Sequence, residues 1–206
     1  MTTSTLLIPP ASTFTIATLG AEFATGTLAD GTEALAPVSE LPRRAMPGAS
    51  VPVTVVSQGT PPVVSGAQAD LVASLFYGVS AELRSGLIRV VAVARRPGER
   101  TKIAVAATRP GVDAVASLLG RSANRVKYVG AVLGGERIEV IAYHDDLATF
   151  VANALAPAKA TRVEINEDGV YAHVDLHQRS AAIGGGGLNS ALAGELVGQP
   201  ITIVVD

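Results

Sequence analysis

The chain has 206 residues, 48% of them apolar and only 17% charged, which excludes a disordered polypeptide and suffices for one or a few small folded domains. It contains no Cys, so disulfides and cysteine-based metal sites are excluded, and no apolar run approaches the roughly 18 residues that span a bilayer. The net charge of −2 hides an asymmetry: residues 1–76 hold two basic and five acidic side chains, residues 77–144 eleven and five, and residues 145–206 three and eight. Attraction to phosphate is therefore expected in the basic middle, between two acidic ends.

Residues 1–12 have no basic n-region and carry Pro9 and Pro10, so they read as a flexible start and not as a signal peptide. FTIATL, EFATGTL, EALAPV and VPVTVV then predict short strands, with turns at Ala29-Asp30-Gly31 and Pro47-Gly48. Several short strands at this spacing suggest a small barrel over residues 13–65. From Gly66 the period changes. AQADLVASLF sets Ala69, Val72, Ala73 and Phe76 on one helical face. LIRVVAVARR and RTKIAVAAT predict strands joined at Pro97-Gly98, VDAVASLLG and NRVKYVGAVLG helices, and ERIEVIAY a strand. The same order follows again: helix DLATFVANALA, strands TRVEI and YAHVDL joined at Glu167-Asp168-Gly169, helices SAAIG and LNSALAGELVG, strand PITIVV. Helix, strand, strand, helix, helix, strand thus occurs twice, over residues 66–144 and 145–206.

In each repeat a short glycine-containing loop joins the paired helices: Gly120-Arg121-Ser122-Ala123 in the first and Gly184-Gly185-Gly186-Gly187 in the second. A KH fold clamps a nucleic-acid backbone with a GxxG loop at this place, because glycine lets backbone approach phosphate and the following helix offers free amides. One such loop is ordinary turn chemistry; two at the same place in a repeat point to the KH fold. RRPGERTKIAV (Arg95 to Val105), GERIEVI, FVANALAPAKATRVEI and SAAIGGGGLNSALAGELVGQPITI resemble the paired KH units of the NusA family of bacterial transcription elongation, termination and antitermination factors. More faintly, EFATGTLADGTEALAPVSELPRRAMPGASVPVTVV resembles that family's S-one domain, an OB-type RNA-binding barrel. The resemblance implies a multi-domain β plus α/β protein: a small OB-type β-barrel, then two tandem type II KH domains, each a mixed three-stranded sheet packed on helices. It implies single-stranded RNA as ligand and RNA polymerase, or another transcription or ribosomal protein, as partner, in the cytoplasm and away from membranes. The family's long N-terminal polymerase-binding domain and its acidic C-terminal repeats have no counterpart in this sequence.

Two departures bear on RNA binding. Ala123 stands where the first loop's second glycine is expected, so that loop is expected to keep charge and lose some geometry. The second loop is four glycines without a basic residue, so it keeps geometry and loses charge, and Ser65-Gly66 replaces the family's Ser-Arg in the bridge. The expected RNA contacts are Gly120, Arg121, Ser122, Arg125, Lys127, Arg95, Arg96, Arg100 and Lys102 in the first unit. Gly184, Gly185, Gly186, Gly187 and Asn189 are the weaker set in the second. In the barrel only Phe14 and Phe23, with Arg43 and Arg44, offer stacking or charge, and burial of Phe23 is an equal alternative.

Enzyme chemistry finds no support. His144, His173 and His177 lack a zinc-ligand pattern, and His173 and His177 are expected on one face of a strand. GGGG lacks the Lys-Ser/Thr of a phosphate loop, and Asp145-Asp146 reads as a helix N-cap. No cofactor and no metal is expected. The sequence therefore predicts a non-enzymatic RNA-binding protein; the alternative is a protein-interaction module that keeps the KH scaffold and has largely lost RNA binding.

Overall fold

The structure, a computed structural model, describes residues 10–42 and 45–206. Of the flexible start expected over residues 1–12, residues 1–9 lie outside the described residues and Ser12 already belongs to a strand; the charge assigned to Arg43 and Arg44 also lies outside the described residues.

Strands β1 (Ser12–Leu19), β2 (Phe23–Leu28), β3 (Glu33–Pro37), β4 (Ser50–Ser57) and β5 (Val63–Ser65) close into a barrel in the order β1-β2-β3-β5-β4. Period-two alternation drives it. Phe14, Ile16, Ala24, Ala34, Ala36, Val51 and Val53 fill the interior, while Thr13, Thr15, Thr25 and Thr27 face water. The core is narrow because it is mostly Ala and Val. Gly26 is needed in mid-strand: a Cβ there would lie 2.2 Å from the Thr15 carbonyl oxygen and 2.8 Å from the Phe14 ring. Strand β5 is absent from the sequence reading, since three residues behind Pro61-Pro62 show no period.

The first KH unit comprises α1 (Ala69–Val79), α2 (Ala81–Arg84), β6 (Ile88–Arg96), β7 (Arg100–Ala107), α3 (Ala114–Leu119), α4 (Asn124–Val132) and β8 (Arg137–Ala142). The second comprises α5 (Leu147–Ala154), β9 (Arg162–Asn166), β10 (Gly169–Val174), α6 (Arg179–Ile183), α7 (Leu188–Val197) and β11 (Ile201–Val205). In both sheets the middle strand pairs antiparallel with the strand before it and parallel with the strand after the helices. The sequence-predicted repeat is thus a repeat of topology.

The two faces of the first sheet do different things. Ile88, Val90, Ile103, Val105 and Ile138 pack under α1 to α4. On the other face Ala94, Ala104 and Ile141 join Phe150, Val151, Ala154, Leu192, Ala193 and Leu196 of α5 and α7 in one core. Helix α7 therefore lies between two sheets, touching β6 and β7 on one side and β11 on the other. Its sequence LNSALAGELV fits that place, being apolar or small nearly all round.

A buried ion pair ties the barrel junction to the first unit. Arg95 donates from Nε to Glu136 Oε1 at 2.9 Å and from NH2 to Oε2 at 3.0 Å. Its NH1 donates to the Gly66 and Gln68 carbonyls at 2.9 and 2.8 Å, in the segment leading from β5 to α1. Thr101 Oγ1 and the Gly98 amide also donate to Glu136. Gly66 passes so close to the Glu40 carbonyl that a Cβ would lie 2.8 Å from it. The expectation that Arg95 contacts RNA is therefore corrected: its guanidinium is 4% exposed and fully engaged inside the fold. Arg95→Ala is expected to lower stability by about 3–5 kcal/mol, because it strands a buried carboxylate. Arg121→Ala, on the surface, should stay within about 0.5 kcal/mol of the parent. Urea unfolding of the two variants checks the contrast; equal small shifts would overturn the structural role of Arg95.

Candidate nucleic-acid interface

The loops between the paired helices follow one backbone path. In the first, Gly120 has φ 70° and ψ 176°, Ser122 φ 53° and ψ 30°, and Ala123 φ 56° and ψ 30°. In the second, Gly184 has φ 76° and ψ 167°, Gly186 φ 60° and ψ 21°, and Gly187 φ 78° and ψ 8°. The amide of the fourth loop residue donates to the carbonyl of the first in both, at 3.0 Å for Ala123 to Gly120 and 3.1 Å for Gly187 to Gly184. Ala123 therefore does not alter the backbone path of the loop. Instead Ser122 and Ala123 are the non-glycine residues with positive φ among the described residues, and hold that path at a cost in strain.

The first glycine of each loop is fixed by close packing. A Cβ at Gly120 would sit 2.5 Å from Asn124 Oδ1, and one at Gly184 would sit 2.7 Å from the Asn189 amide nitrogen. Behind each loop a helix starts without a side-chain cap, at Asn124 and at Leu188. Its first amide donates back into the loop, from Asn124 to the Arg121 carbonyl and from Leu188 to the Gly185 carbonyl, so what the loop offers an anionic oxygen is the positive end of the helix.

The basic residues divide sharply. Arg121 and Lys127 are exposed and make no hydrogen bond or ion pair among the described residues. Arg125 instead donates to the Ser117 carbonyl and pairs with Glu82 at 2.8 Å, so it braces α2, α3 and α4 around the loop. The Arg125 guanidinium holds the Glu82 carboxyl below its usual range. Arg96 reaches across to Glu195 on α7, a pairing that raises the guanidinium's affinity for its proton. Arg100 donates to Asn189 Oδ1 at 3.3 Å and lies 3.8 Å from Glu139. Lys102 is fully buried and donates to Glu139 at 2.8 Å and to the Ala156 carbonyl at 2.7 Å. Burial pushes the Lys102 ammonium pKa down, with Glu139 opposing the shift.

Lys102 and Asn189 are corrected along with Arg95. Asn189 is 0% exposed and donates to the Leu155 and Ala182 carbonyls at 3.0 and 3.1 Å, so it locks α7 to its neighbours and faces no solvent ligand. Arg96, Arg100 and Lys102 bind the two units together. The two histidines are corrected as well. Strand β10 ends at Val174; His173 is buried against Asp206 at 2.9 Å, and His177 lies exposed in the following 3-10 turn Leu176–Gln178. Asp146 caps α5 as expected, accepting from the Thr149 amide at 2.9 Å. Among the described residues no group of three His, Cys, Asp or Glu is placed to hold a metal ion, and no helix is long and apolar enough to cross a membrane.

In the barrel Phe14 is buried, whereas Phe23 is 44% exposed. Sequence reading also passed over Tyr77 and Tyr128, both on the surface of the first unit. The signal was available for Tyr128: in NRVKYVGAV, Val126 and Val129 mark the core side, which turns the intervening Lys127 and Tyr128 outward.

Two family profiles match this chain, the NusA-like first KH domain over residues 67–143 and the NusA-like second KH domain over residues 147–206. The chain belongs to the NusA-like KH family. Among curated relatives, the transcription termination/antitermination protein NusA of Thermus thermophilus is 35% identical over 147 residues, 70% of this chain and 38% of its own length. That of Mycobacterium tuberculosis is 39% identical over 159 residues, 76% of this chain and 44% of its own. That of Rickettsia conorii is 40% identical over 130 residues, 61% and 26% respectively. The chain spans less than half the length of these relatives. Its closed five-stranded barrel fits the OB-type start expected before the NusA-like KH pair.

Ala123→Gly removes about 1–2 kcal/mol of left-handed strain and returns about 0.4–1 kcal/mol through a more flexible unfolded chain. The variant should therefore be more stable by up to about 1.6 kcal/mol, read as a higher urea midpoint at unchanged slope. A loss of stability would show that position 123 carries no strain.

Proposed function

We propose that this chain is a non-enzymatic, single-stranded RNA-binding factor acting in transcription elongation, termination or antitermination. The observation that carries the proposal is the first loop: a positive-φ backbone path, a helix behind it without a side-chain cap, and two unengaged cations, Arg121 and Lys127, at its side. Gly120, Arg121 and Ser122 contact the backbone of the strand, and Lys127 a neighbouring phosphate. The second unit, through Gly184, Gly185, Gly186 and Gly187, takes the same geometry to the RNA without charge and grips it less. RNA polymerase, or another transcription or ribosomal protein, is the partner that the names of the relatives favour.

A second reading rests on the rest of the charge. The described barrel residues include Glu22, Asp30, Glu33 and Glu40 and no basic side chain, and the second unit is acidic. These surfaces suit a protein partner in a molecule that has kept the KH scaffold while RNA binding decayed.

Titration of the intact chain with a fluorescent single-stranded RNA at low and moderate salt separates the two readings, and no binding at low salt overturns the first. Arg121→Ala with Lys127→Ala should weaken binding and flatten the plot of log affinity against log salt by about 1.4, from about 0.7 per phosphate contact on a single strand.

The second loop gives the converse test. Gly185 occupies the position of Arg121, its φ is not positive, and a Cβ there meets nothing within 4 Å. Gly185→Arg should therefore fold normally, tighten RNA binding and steepen the salt dependence by about 0.7. An unchanged salt slope would show that this loop does not meet the RNA backbone.

A further inference from the structure

The chain has only four Phe and four Tyr and no Trp, so two exposed aromatic rings in one place call for an account. Tyr77 near the end of α1 is 37% exposed, and Tyr128 on α4 is 58% exposed. Both line one open cleft of about 540 Å³, with Pro10 and Ala11 from the start of the barrel and Leu75 and Val79 from α1. The folded core does not require either ring. Val72, Phe76 and Val129 already supply the buried contacts between these helices and their sheet, which leaves the phenol rings as walls of a surface cleft.

Two cations adjoin the tyrosines in the chain or by contact. Lys127 precedes Tyr128, about 100° round the same helix, and is unengaged. Arg84 lies beside Tyr77, donating to the Tyr77 and Gly78 carbonyls at 2.7 and 3.0 Å while its side chain stays exposed. The helix that carries Tyr128 begins at the first loop, and Tyr128 lies four residues, about 6 Å, from its first residue. Exposed aromatic faces bordered by cations are what a single-stranded nucleic acid uses: bases stack on the rings while phosphates meet the charges. The rings offer face area to a base, and Lys127 and Arg84 offer cations to its phosphates.

We propose that Tyr128, with Tyr77, forms a base-stacking subsite beside the first loop, taking one or two bases of single-stranded RNA whose backbone passes Arg121 and Lys127. This rests on the RNA-binding reading above and adds to it a second kind of contact, apolar and insensitive to salt. The strand would leave the loop along α4 and enter the cleft where the barrel meets the first KH unit.

The test uses the intact chain and a fluorescent uridine 12-mer, titrated at several salt concentrations. Tyr128→Ala, at an exposed position, should keep the parent unfolding midpoint and weaken binding roughly five- to 150-fold, the range of base–aromatic stacking. Its salt slope should equal the parent's, because no charge has been removed. Tyr128→Phe should keep parent affinity, which separates stacking by the ring from a hydrogen bond by the hydroxyl. Binding should also quench tyrosine emission, and Tyr128→Ala should remove most of that quenching. If the parent binds, and Arg121→Ala with Lys127→Ala weakens it while Tyr128→Ala does not, the subsite is overturned and the loop reading stands. If the parent does not bind RNA at low salt, both fall.

Discussion

The arrangement of this molecule depends on a helix that is buried on both sides. Helix α7 belongs to the second KH unit by sequence, yet it closes the outer face of the first sheet. That face permits close approach because its rows are small: Ala92, Ala104 and Ile141 are in register, and Ala94 stands beside Lys102 and Glu139. The corresponding rows of the second sheet are Arg162, His173 and Val204, and Glu164, Tyr171 and Thr202. There His173 pairs with Asp206, and Arg162 lies against its ring. One sheet is built to be covered by helices, the other to close its outer face with its own polar groups, as repeat architectures do at an outward surface.

Sharing a helix has an electrostatic consequence. The inter-unit seam sets Arg96, Arg100 and Lys102 against Glu195, Asn189 and the Ala156 carbonyl, with Lys102 buried and Arg96 still partly exposed. Arg95 is taken by the barrel junction and Arg125 by the brace around the loop. Of the eleven basic side chains in residues 77–144, Arg89, Arg109, Arg121 and Lys127 make no hydrogen bond or ion pair among the described residues, and Arg89 lies over the Tyr143 ring. Part of the surplus of six positive charges counted along the chain is thus taken up by contacts inside the fold, while Arg121 and Lys127 stay unengaged beside one loop. An electrostatic footprint read from sequence overstates the surface charge wherever the fold uses cations as struts.

This explains which features the sequence revealed and which it did not. Periodicity and turn residues showed both KH repeats and four of the barrel strands, because each spans enough residues to display a period. Strand β5 and the four-residue α2 are too short to do so. The glycine loops were legible from their position in the repeat. The burial of Arg95, Lys102 and Asn189 was not, since each is held by partners 27 to 54 residues away, such as Gln68, Glu136, Ala156 and Leu155. His177 was misplaced for a local reason: alternation in YAHVDLHQ runs on past Val174, where the backbone turns and the strand ends.

The two loops reach one conformation by opposite means. Four glycines enter the left-handed path without steric cost but lose much backbone entropy when they are held in it. Ser122 and Ala123 lose less entropy in that path but hold it against strain, so the packing around them must keep it in place. Arg125 reinforces this by fastening α4 to Ser117 and Glu82, next to the loop it follows. The position equivalent to Arg125 in the second unit is Asn189, which also fastens its helix but faces inward and carries no charge. Both loops hold the same path, but the first has cations beside it and the second has none. Two loops of equal shape need not be equal in affinity, because charge, not the backbone path, separates them.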